Sequence, residues 1–580
     1  MTKMLSFKEL KKNLKKKSDS YPLINIALVG DTATQFLAIG IQGFGKEYGY
    51  NINLFEADYN QVERQLLDPT SELYSFNADY IIIFQSTHRL LEKHSMLPPD
   101  EQLQLADTRI DFITQLCENP ELKNKKLIYF NYPEIDDSIF GSYANKITSS
   151  LLYQTRLLNY KLMTISQQYS NLYICDITRI QNKFGRDFIF ASNVYASTEM
   201  VLSIDAIPYV SKAVMDIIAA CQGHFKKCLI TDLDNTLWGG VIGDDGIEGI
   251  QLGHGMGNGK VFTELQMWIK KLKQRGIILC VASKNDEDKA KEAFEKHPDM
   301  VLSLDDFAVF QANWETKVDN IRAIQNILNI GFDSMVFLDD NPFERHIVKE
   351  DIHEITVPDL PDDPSEYLEY LYSLNLFEIA SYSNTDKDRT KQYQIEAKRR
   401  TFKKTFTNEN EFLESLQMIS AVTGFTKFNI PRIAQLSQRS NQFNLRTVRY
   451  TETEVMNMAN NPKVIGLSFT LEDKFGDNGL IAVVIMKEHN EGCLFIDTWF
   501  MSCRVLKRGM EYFILNTIVE TAKQKGYKKI IGEYLPTAKN QMVASLYLSL
   551  GFNKIDMAET NRYELNVENY KVKTCFIHKK

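Results

Sequence analysis

Short apolar runs alternate with longer amphipathic stretches through the first two-thirds of the chain. Ile24 to Val29, Tyr80 to Phe84, Lys126 to Phe130 and Leu172 to Ile177 have strand length, with helix-length segments between them. That alternation predicts strand–helix repeats on a parallel sheet. A helix over Ile207 to Cys221 leads into a second series, Lys227 to Thr231, Ile277 to Ala282, Val301 to Leu304 and Met335 to Leu338. This series predicts a doubly wound α/β domain, with Asp359 to Pro364 as its exit. Tyr367 to Phe406 reads as a charged helical connector carrying Lys387, Arg389, Lys391 and the basic cluster from Lys398 to Lys404. Beyond about Asn408 the order changes. Strands at Val464 to Thr470, Gly479 to Lys487 and Cys493 to Met501 precede a helix Gly509 to Gly526, a strand Lys529 to Glu533 and a helix Asn540 to Leu550. Strands first and a helix–strand–helix close predict an α+β module. The expected organisation is an α/β multidomain chain with domains at 1–222, 223–365 and 408–580, the connector filling 366–407.

Composition adds little to this picture but closes off several classes. With 67 Lys and Arg against 75 Asp and Glu, the net charge is −8 over 580 residues, which offers no electrostatic footprint for nucleic acid. A hydrophobic share of 44% is ordinary for globular chains, and the length calls for several cores. The 8 cysteines form no CxxC pair or Cys/His cluster, so they read as reduced thiols of a cytoplasmic protein rather than as disulfides or a zinc site. No apolar run approaches the roughly 20 residues a membrane span requires. Met1 to Lys17 is basic, lacks the apolar centre of a signal peptide, and predicts a solvated leading helix.

The strongest chemical signal is a pair of carboxylates at alternate positions past a buried strand, in Asp232-Leu233-Asp234-Asn235-Thr236. Covalent phosphoryl transfer needs one carboxylate to attack phosphorus. A second acid must protonate the leaving oxygen and then deprotonate water. A divalent cation must offset the repulsion between two anions. Asp232 and Asp234 stand where open α/β sheets bind ligands. Ser283, with Lys284 and Asn285 beside it, offers donors to phosphoryl oxygens, and Lys317 can neutralise developing charge. Asp339 and Asp340 end a strand with the oxygen ligands that Mg2+ prefers. The set resembles the HAD (haloacid dehalogenase-like) phosphatases. That resemblance implies Asp232, Asp234, Ser283 and Lys317 as catalytic, Asn235, Thr236, Lys284 and Asn285 as phosphate-binding, and Asp232, Asp234, Asp339 and Asp340 as Mg2+ ligands.

Longer strings narrow the resemblance. Asp232-Leu-Asp-Asn-Thr-Leu-Trp-Gly-Gly-Val-Ile-Gly-Asp-Asp-Gly246, Ser283-Lys-Asn285, Trp314 to Lys317, Asn329-Ile-Gly331 and Asp339-Asp-Asn-Pro-Phe-Glu-Arg345 are similar to the FkbH-like proteins, in HAD subfamily IIIC. Ser440-Asn-Gln-Phe-Asn-Leu445, Asp473-Lys-Phe-Gly-Asp-Asn-Gly479 and Met501-Ser-Cys-Arg-Val505 continue the match, which spans Cys228 to Phe552. The resemblance implies an SGNH-like (flavodoxin-like) N-terminal domain, a Rossmann-like HAD domain and a GNAT-like acyltransferase domain. It also implies a small flap at Trp238 to Gly253 in place of a large cap. Such proteins take the acyl group of 1,3-bisphosphoglycerate or a similar phosphorylated acid, lose phosphate, and load a glyceryl thioester onto a separate acyl carrier protein with a phosphopantetheine arm. The setting is polyketide or other secondary-metabolite biosynthesis. Cys503 would be catalytic and hold the acyl group, and Arg504 would lower its thiol pKa and bind the substrate.

Other readings remain open. One is a stand-alone Mg-dependent phosphatase acting on a sugar, glycan or other phosphorylated intermediate; another is a carrier-binding scaffold. Arg504 to Glu511 stands where a GNAT fold cradles pyrophosphate, but Lys507 replaces the usual glycine and only Gly509 remains. Tyr547 is either a thiolate-protonating acid or core packing. Gly253 to Gly259 is glycine-rich without a P-loop context. Gly30-Asp31-Thr32 and Asn131 resemble SGNH hydrolase blocks, but Thr32 stands for their Ser and Asp205-Ala206-Ile207-Pro208 lacks the base, so a non-catalytic scaffold is expected. Ser334 imitates a carrier serine but precedes a buried strand, and reads as a turn residue.

Overall fold

The computed structural model of the chain describes residues 4–17, 20–382, 389–403, 405–490, 492–537, 539–555 and 561–580. Lys387 and Lys404, counted in the connector's basic cluster, lie outside these residues. The chain forms two compact units divided between Cys221 and Gln222.

In the first unit five parallel strands, β1 (Leu23–Gly30), β2 (Asn51–Glu56), β3 (Tyr80–Phe84), β4 (Lys126–Phe130) and β5 (Leu172–Cys175), lie in the order β2-β1-β3-β4-β5. This is the flavodoxin-like order of doubly wound sheets. Every residue of β3 is buried, as a strand covered by helices on both faces requires. The leading helix is Phe7–Asn13, closed by a reciprocal cap between Ser6 and Glu9.

In the second unit β6 (Cys228–Thr231), β7 (Ile278–Ser283), β8 (Phe307–Ala312) and β9 (Met335–Leu338) form a parallel sheet ordered β8-β7-β6-β9. The strand expected at Val301 to Leu304 is absent. Ser303 and Asp306 exchange side-chain and backbone hydrogen bonds that wind Leu304–Asp306 into a 3-10 turn, and the strand forms after it. β2 and β8, both edge strands, are additions to the expected set. Helix Arg389–Lys403 runs against β8, where the Gln394 amide donates to the carbonyls of Asp305 and Phe307. It thereby covers an edge that would otherwise expose pairing groups.

The rest of this unit is a sheet ordered β16-β17-β15-β14-β13-β12-β10-β18, with β11 pairing to β12. Its strands are β10 (Met418–Ser420), β11 (Val422–Thr423), β12 (Val464–Asp473), β13 (Gly476–Asn490), β14 (Cys493–Met501), β15 (Lys529–Glu533), β16 (Asn553–Lys554), β17 (Arg562–Asn566) and β18 (Ile577–Lys579). Parallel β14 and β15 pair only from Cys493/Lys529 to Ile496/Gly532. Beyond that point the residues Phe443 to Leu445 wedge in beside β14. Met501 N–H donates to the Phe443 carbonyl, Leu445 N–H donates to the Trp499 carbonyl, and Leu535 N–H donates to the Leu445 carbonyl. Helix Met510–Gln524 packs its apolar face on this sheet.

Candidate active site

Asp232 follows β6, which has β7 on one side and β9 on the other; this is the switch point where doubly wound sheets open a crevice. Its N–H donates to the Leu338 carbonyl, fixing the carboxyl end of β6 against β9. Asn235 then adopts left-handed backbone at φ 54°, a conformation Asn tolerates well, and the chain turns back. Its side-chain oxygen accepts from Gly240 N–H, which ties the turn to the flap. The flap is small: helix Ile242–Gly249, clipped by a bridge between Gly239 and Gln251. Between β7 and β8 stand only helix Glu287–Lys296 and the 3-10 turn. Neither place holds a cap domain, and the crevice is open to a bulky substrate.

Oxygens of Asp232, Asp339 and Asp340 lie within 4.8 Å of one another. Lys317 begins helix Lys317–Leu328 and reaches into this group, 2.6 Å from Asp232 and 3.1 Å from Asp339, while donating to the Ala282 carbonyl at 2.9 Å. The ammonium is only 2% exposed. Burial works against its charge, but Asp232 and Asp339 outweigh burial and hold it above its usual range. Burial first, and then the charge of Asp232, push Asp339 up to about 7. The same two causes raise Asp340. One cation among three crowded carboxylates leaves an excess of negative charge, which a hard divalent ion fits. The turn after β9 is held by Arg345, whose guanidinium donates to the carbonyls of Asp339 and Asp340 at 2.8 and 2.6 Å. Asn341 caps the next helix by accepting from Phe343 N–H, and Pro342 sits where no donor is needed.

Asp234 stands apart from the three carboxylates. Its Oδ1 accepts from the Trp238 indole at 2.9 Å and Ile242 N–H at 3.0 Å, and its Oδ2 from the Asn285 amide at 2.9 Å. Its carboxylate is therefore not in the metal cluster where the sequence reading placed it. Burial raises its pKa, which suits an acid that must carry a proton. Thr236 accepts from Asp340 N–H at 3.1 Å and orients that acid. Lys284 pairs with Glu344 at 2.5 Å. Ser283, buried, ends β7 at the same edge. Of the residues expected to bind phosphate, Asn235, Thr236 and Asn285 thus position other groups of the site. Trp238, Glu344 and Arg345 were missed as members, although all three lie in the strings after Asp232 and Asp339 that carry the resemblance.

Cys503 is not brought to this crevice. It lines a cavity of about 300 Å³ whose wall includes Lys227, Ile278 and Ile330 to Ser334, the residues that enter β6, β7 and β9. The thiol therefore faces the amino edge of the sheet, opposite Asp232. At about 3.3 Å per residue, the four residues of β6 alone separate the two edges by roughly 13 Å. Arg504 turns its guanidinium to Gln392 and Ser502, and burial lowers its pKa. Arg508 pairs with Glu396 and Asp473, which also hold Arg399. The loop expected to cradle pyrophosphate is thus tied into a buried ion network. Lys507 takes a left-handed φ of 61°, the conformation that makes glycine the usual residue there. Tyr547 is buried in the core beside Phe552 and Tyr563. Ser334 is a buried turn residue before β9.

In the first unit Asp31 accepts from Ser86 N–H at 2.9 and 3.0 Å, and burial raises it to about 6. The Asn131 amide donates to Asp176 and Thr178, so it is committed to the loop after β5 and not aimed at an oxyanion. No helix among the described residues is long and apolar enough to cross a membrane.

A family model described as FkbH, N-terminal domain, matches residues 25–219. A solved structure of the N-terminal part of the protein BF1531 from Bacteroides fragilis, containing a phosphatase domain complexed with Mg, is 61% identical with a TM-score of 0.64, covering 65% of this chain and 100% of that one. The ribosomal-protein-S18-alanine N-acetyltransferase of Escherichia coli is 15% identical over 26% of this chain and 99% of its own, with a TM-score of 0.20. A domain from Methanocaldococcus jannaschii is 17% identical over 26% of this chain and 99% of its own, with a TM-score of 0.22. No curated protein matches the chain.

Proposed function

Because the chain belongs to the FkbH-like proteins, we propose that its second unit is a Mg2+-dependent phosphatase and acyl-transfer enzyme acting on a phosphorylated three-carbon acid of the 1,3-bisphosphoglycerate type. One observation carries the phosphatase half: Asp232, Asp339 and Asp340 converge on Lys317 at the switch point of the sheet. Asp232 attacks phosphorus and forms an aspartyl phosphate as the bond to the leaving oxygen breaks. Asp234, whose pKa burial raises, gives a proton to that oxygen and then takes one from the attacking water. Trp238, Ile242 and Asn285 hold its carboxyl group in place throughout. Lys317 offsets charge on the nucleophile and phosphoryl oxygens, and Ser283 and Lys284 stand at the same edge to bind them. Asp232, Asp339 and Asp340 would hold Mg2+, which supplies Lewis-acid charge to the phosphoryl group when bound.

In the acyl half, the Cys503 thiolate attacks the acyl-phosphate carbon, expelling that phosphate and forming a glyceryl thioester. A GNAT-like module passes the acyl group to the phosphopantetheine thiol of an acyl carrier protein, which frees Cys503. The other phosphate, an ester, is the one Asp232 hydrolyses. The distance between the two edges of the sheet requires these steps to occur at separate sites. That same distance favours a second reading, a phosphatase in which Cys503 takes no part. Intact-mass analysis with 1,3-bisphosphoglycerate and Mg2+, with and without a carrier, tests both. The two-site reading requires a glyceryl adduct that is lost in Cys503→Ala while phosphate release persists. Phosphate release without any adduct leaves the phosphatase alone, and hydrolysis of the phosphate ester that survives Asp232→Asn ends both readings.

A further inference from the structure

We propose that the Lys284–Glu344 ion pair selects the substrate of the phosphatase crevice, with Glu344 holding Lys284 over Asp232 to receive an acidic group on the leaving side of the ester. This rests on the phosphatase half of the function proposed above and deepens it. The crevice takes the phosphorylated acid while its acid end is still a charged carboxylate or acyl phosphate, not yet a thioester. Lys284 is the first residue after β7, and Glu344 stands in the first turn of helix Pro342–Asp351, which follows β9. β7 and β9 lie on either side of β6, so their ends are two strand spacings, roughly 10 Å, apart. The 2.5 Å contact between the two side chains therefore crosses the carboxyl end of β6, where Asp232 stands. Both ends of the pair are anchored. Asn285, beside Lys284, donates to Asp234, and Arg345, beside Glu344, donates to the carbonyls of Asp339 and Asp340. Glu344 has 12% of its side chain exposed, while Lys284 keeps 38%. A buried carboxylate is costly to strip of its cation, so Lys284 stays at the mouth of the crevice. It does not drop onto the carboxylates below, which Lys317 already serves. Glu344 takes one of the three ammonium donors, and the described contacts give the other two no acceptor. In an in-line displacement Asp232 attacks from the floor and the leaving oxygen departs toward the mouth. The organic part of the ester thus comes up against Lys284.

The full chain with Mg2+ is given 3-phosphoglycerate or glycerol 3-phosphate, and phosphate release is followed. The two esters share a carbon skeleton, and a carboxylate in one stands against a neutral hydroxymethyl group in the other. Contacts to the phosphoryl group are common to both and cancel in the ratio of their kcat/KM values. The native ratio should favour 3-phosphoglycerate about tenfold or more, and high salt should shrink it. Lys284→Met should bring the ratio to within about twofold of unity, and Lys284→Arg should keep part of it. Glu344→Gln should lower the ratio about threefold or more, chiefly through a higher KM for 3-phosphoglycerate, because Lys284 is no longer held in place. A native ratio near unity, or one unchanged in Lys284→Met, would overturn the proposal; Lys284 is exposed enough for that variant to fold. Hydrolysis of p-nitrophenyl phosphate, which carries no acid group, reports on the phosphatase separately. If that hydrolysis survives Asp232→Asn, the phosphatase reading fails and this inference with it.

Discussion

Lys317 sets the charge balance of the crevice, and its replacement by Met has a magnitude that can be worked out. At an effective dielectric of about 20, attraction across the 2.6 Å contact with Asp232 is roughly 6 kcal/mol, and across the 3.1 Å contact with Asp339 about 5 kcal/mol. Desolvating the ammonium offsets most of this, and breaking one side of a buried pair costs about 3–5 kcal/mol net. Lys317→Met keeps the volume of the stem and leaves Asp232, Asp339 and Asp340 facing one another with no cation. All four tryptophans, Trp238, Trp268, Trp314 and Trp499, lie in the second unit, so urea unfolding followed by tryptophan fluorescence reports on that unit. We expect a loss of about 3–5 kcal/mol at pH 8 without divalent ions. Mg2+ should restore part of it, because the metal replaces the missing positive charge, and should stabilise the variant more than the native chain. Phosphate release should fall by roughly 10²–10³. A loss below about 1 kcal/mol, or one that Mg2+ leaves unchanged, would refute the assignment of charge compensation to Lys317.

Three further outcomes follow from the geometry. Asp232→Asn should lower Mg2+-dependent phosphate release from p-nitrophenyl phosphate by about 10³ or more; a residual rate within about tenfold of native would remove Asp232 from the chemistry. Asp234→Asn should slow hydrolysis of the aspartyl phosphate more than its formation from a substrate with a good leaving group, so intact mass should reveal one bound phosphoryl group that the native enzyme does not accumulate. In the first unit, burial holds Asp31 at about 6 against an ordinary 3.8, so the folded state keeps a proton the unfolded chain has lost between those values. Stability should therefore fall as pH rises from about 4 to about 6, by about 3 kcal/mol relative to Asp31→Asn. Hydrogen exchange of β1 amides in both proteins checks it, and parallel pH curves would refute it.

Strands buried on both faces were legible from apolar runs: Tyr80 to Phe84, Lys126 to Phe130 and Met335 to Leu338 match β3, β4 and β9 end to end. β2 escaped because its edge position mixes Asn51, Asn53 and Glu56 into its pattern, and β8 because the nearby apolar spacing at Val301 to Leu304 competed with it. Val301 to Leu304 misled because its apolar spacing is that of a strand, while the Ser303–Asp306 cap stops the chain from extending. In the crevice, Asp232, Lys317, Asp339 and Asp340 were readable since each ends a buried strand or opens a helix. The direction of a side chain is not readable in that way. Asn235, Thr236 and Asn285 are residue types suited to phosphate, yet Asn235 Oδ1 accepts from Gly240 N–H, Thr236 Oγ1 accepts from Asp340 N–H and the Asn285 amide donates to Asp234. The place of Cys503 depends on contacts such as that of the Asn329 amide with its carbonyl, across 174 positions of sequence, which no local pattern records.

The wedge between β14 and β15 also bears on how this protein can change. Ser440 to Phe443 wall the Cys503 cavity, and Phe443 to Leu445 seal the gap between two strands of the large sheet. One short stretch thus serves both the cavity wall and the continuity of a core. A substitution there that reshapes the cavity also disturbs the sheet, so variation in the cavity costs least at its other lining residues, those of helix Arg389–Lys403 and helix Ile430–Arg439. In a mutational scan the six positions from Ser440 to Leu445 should tolerate far less variety than Arg389 and Arg432 elsewhere in the cavity wall.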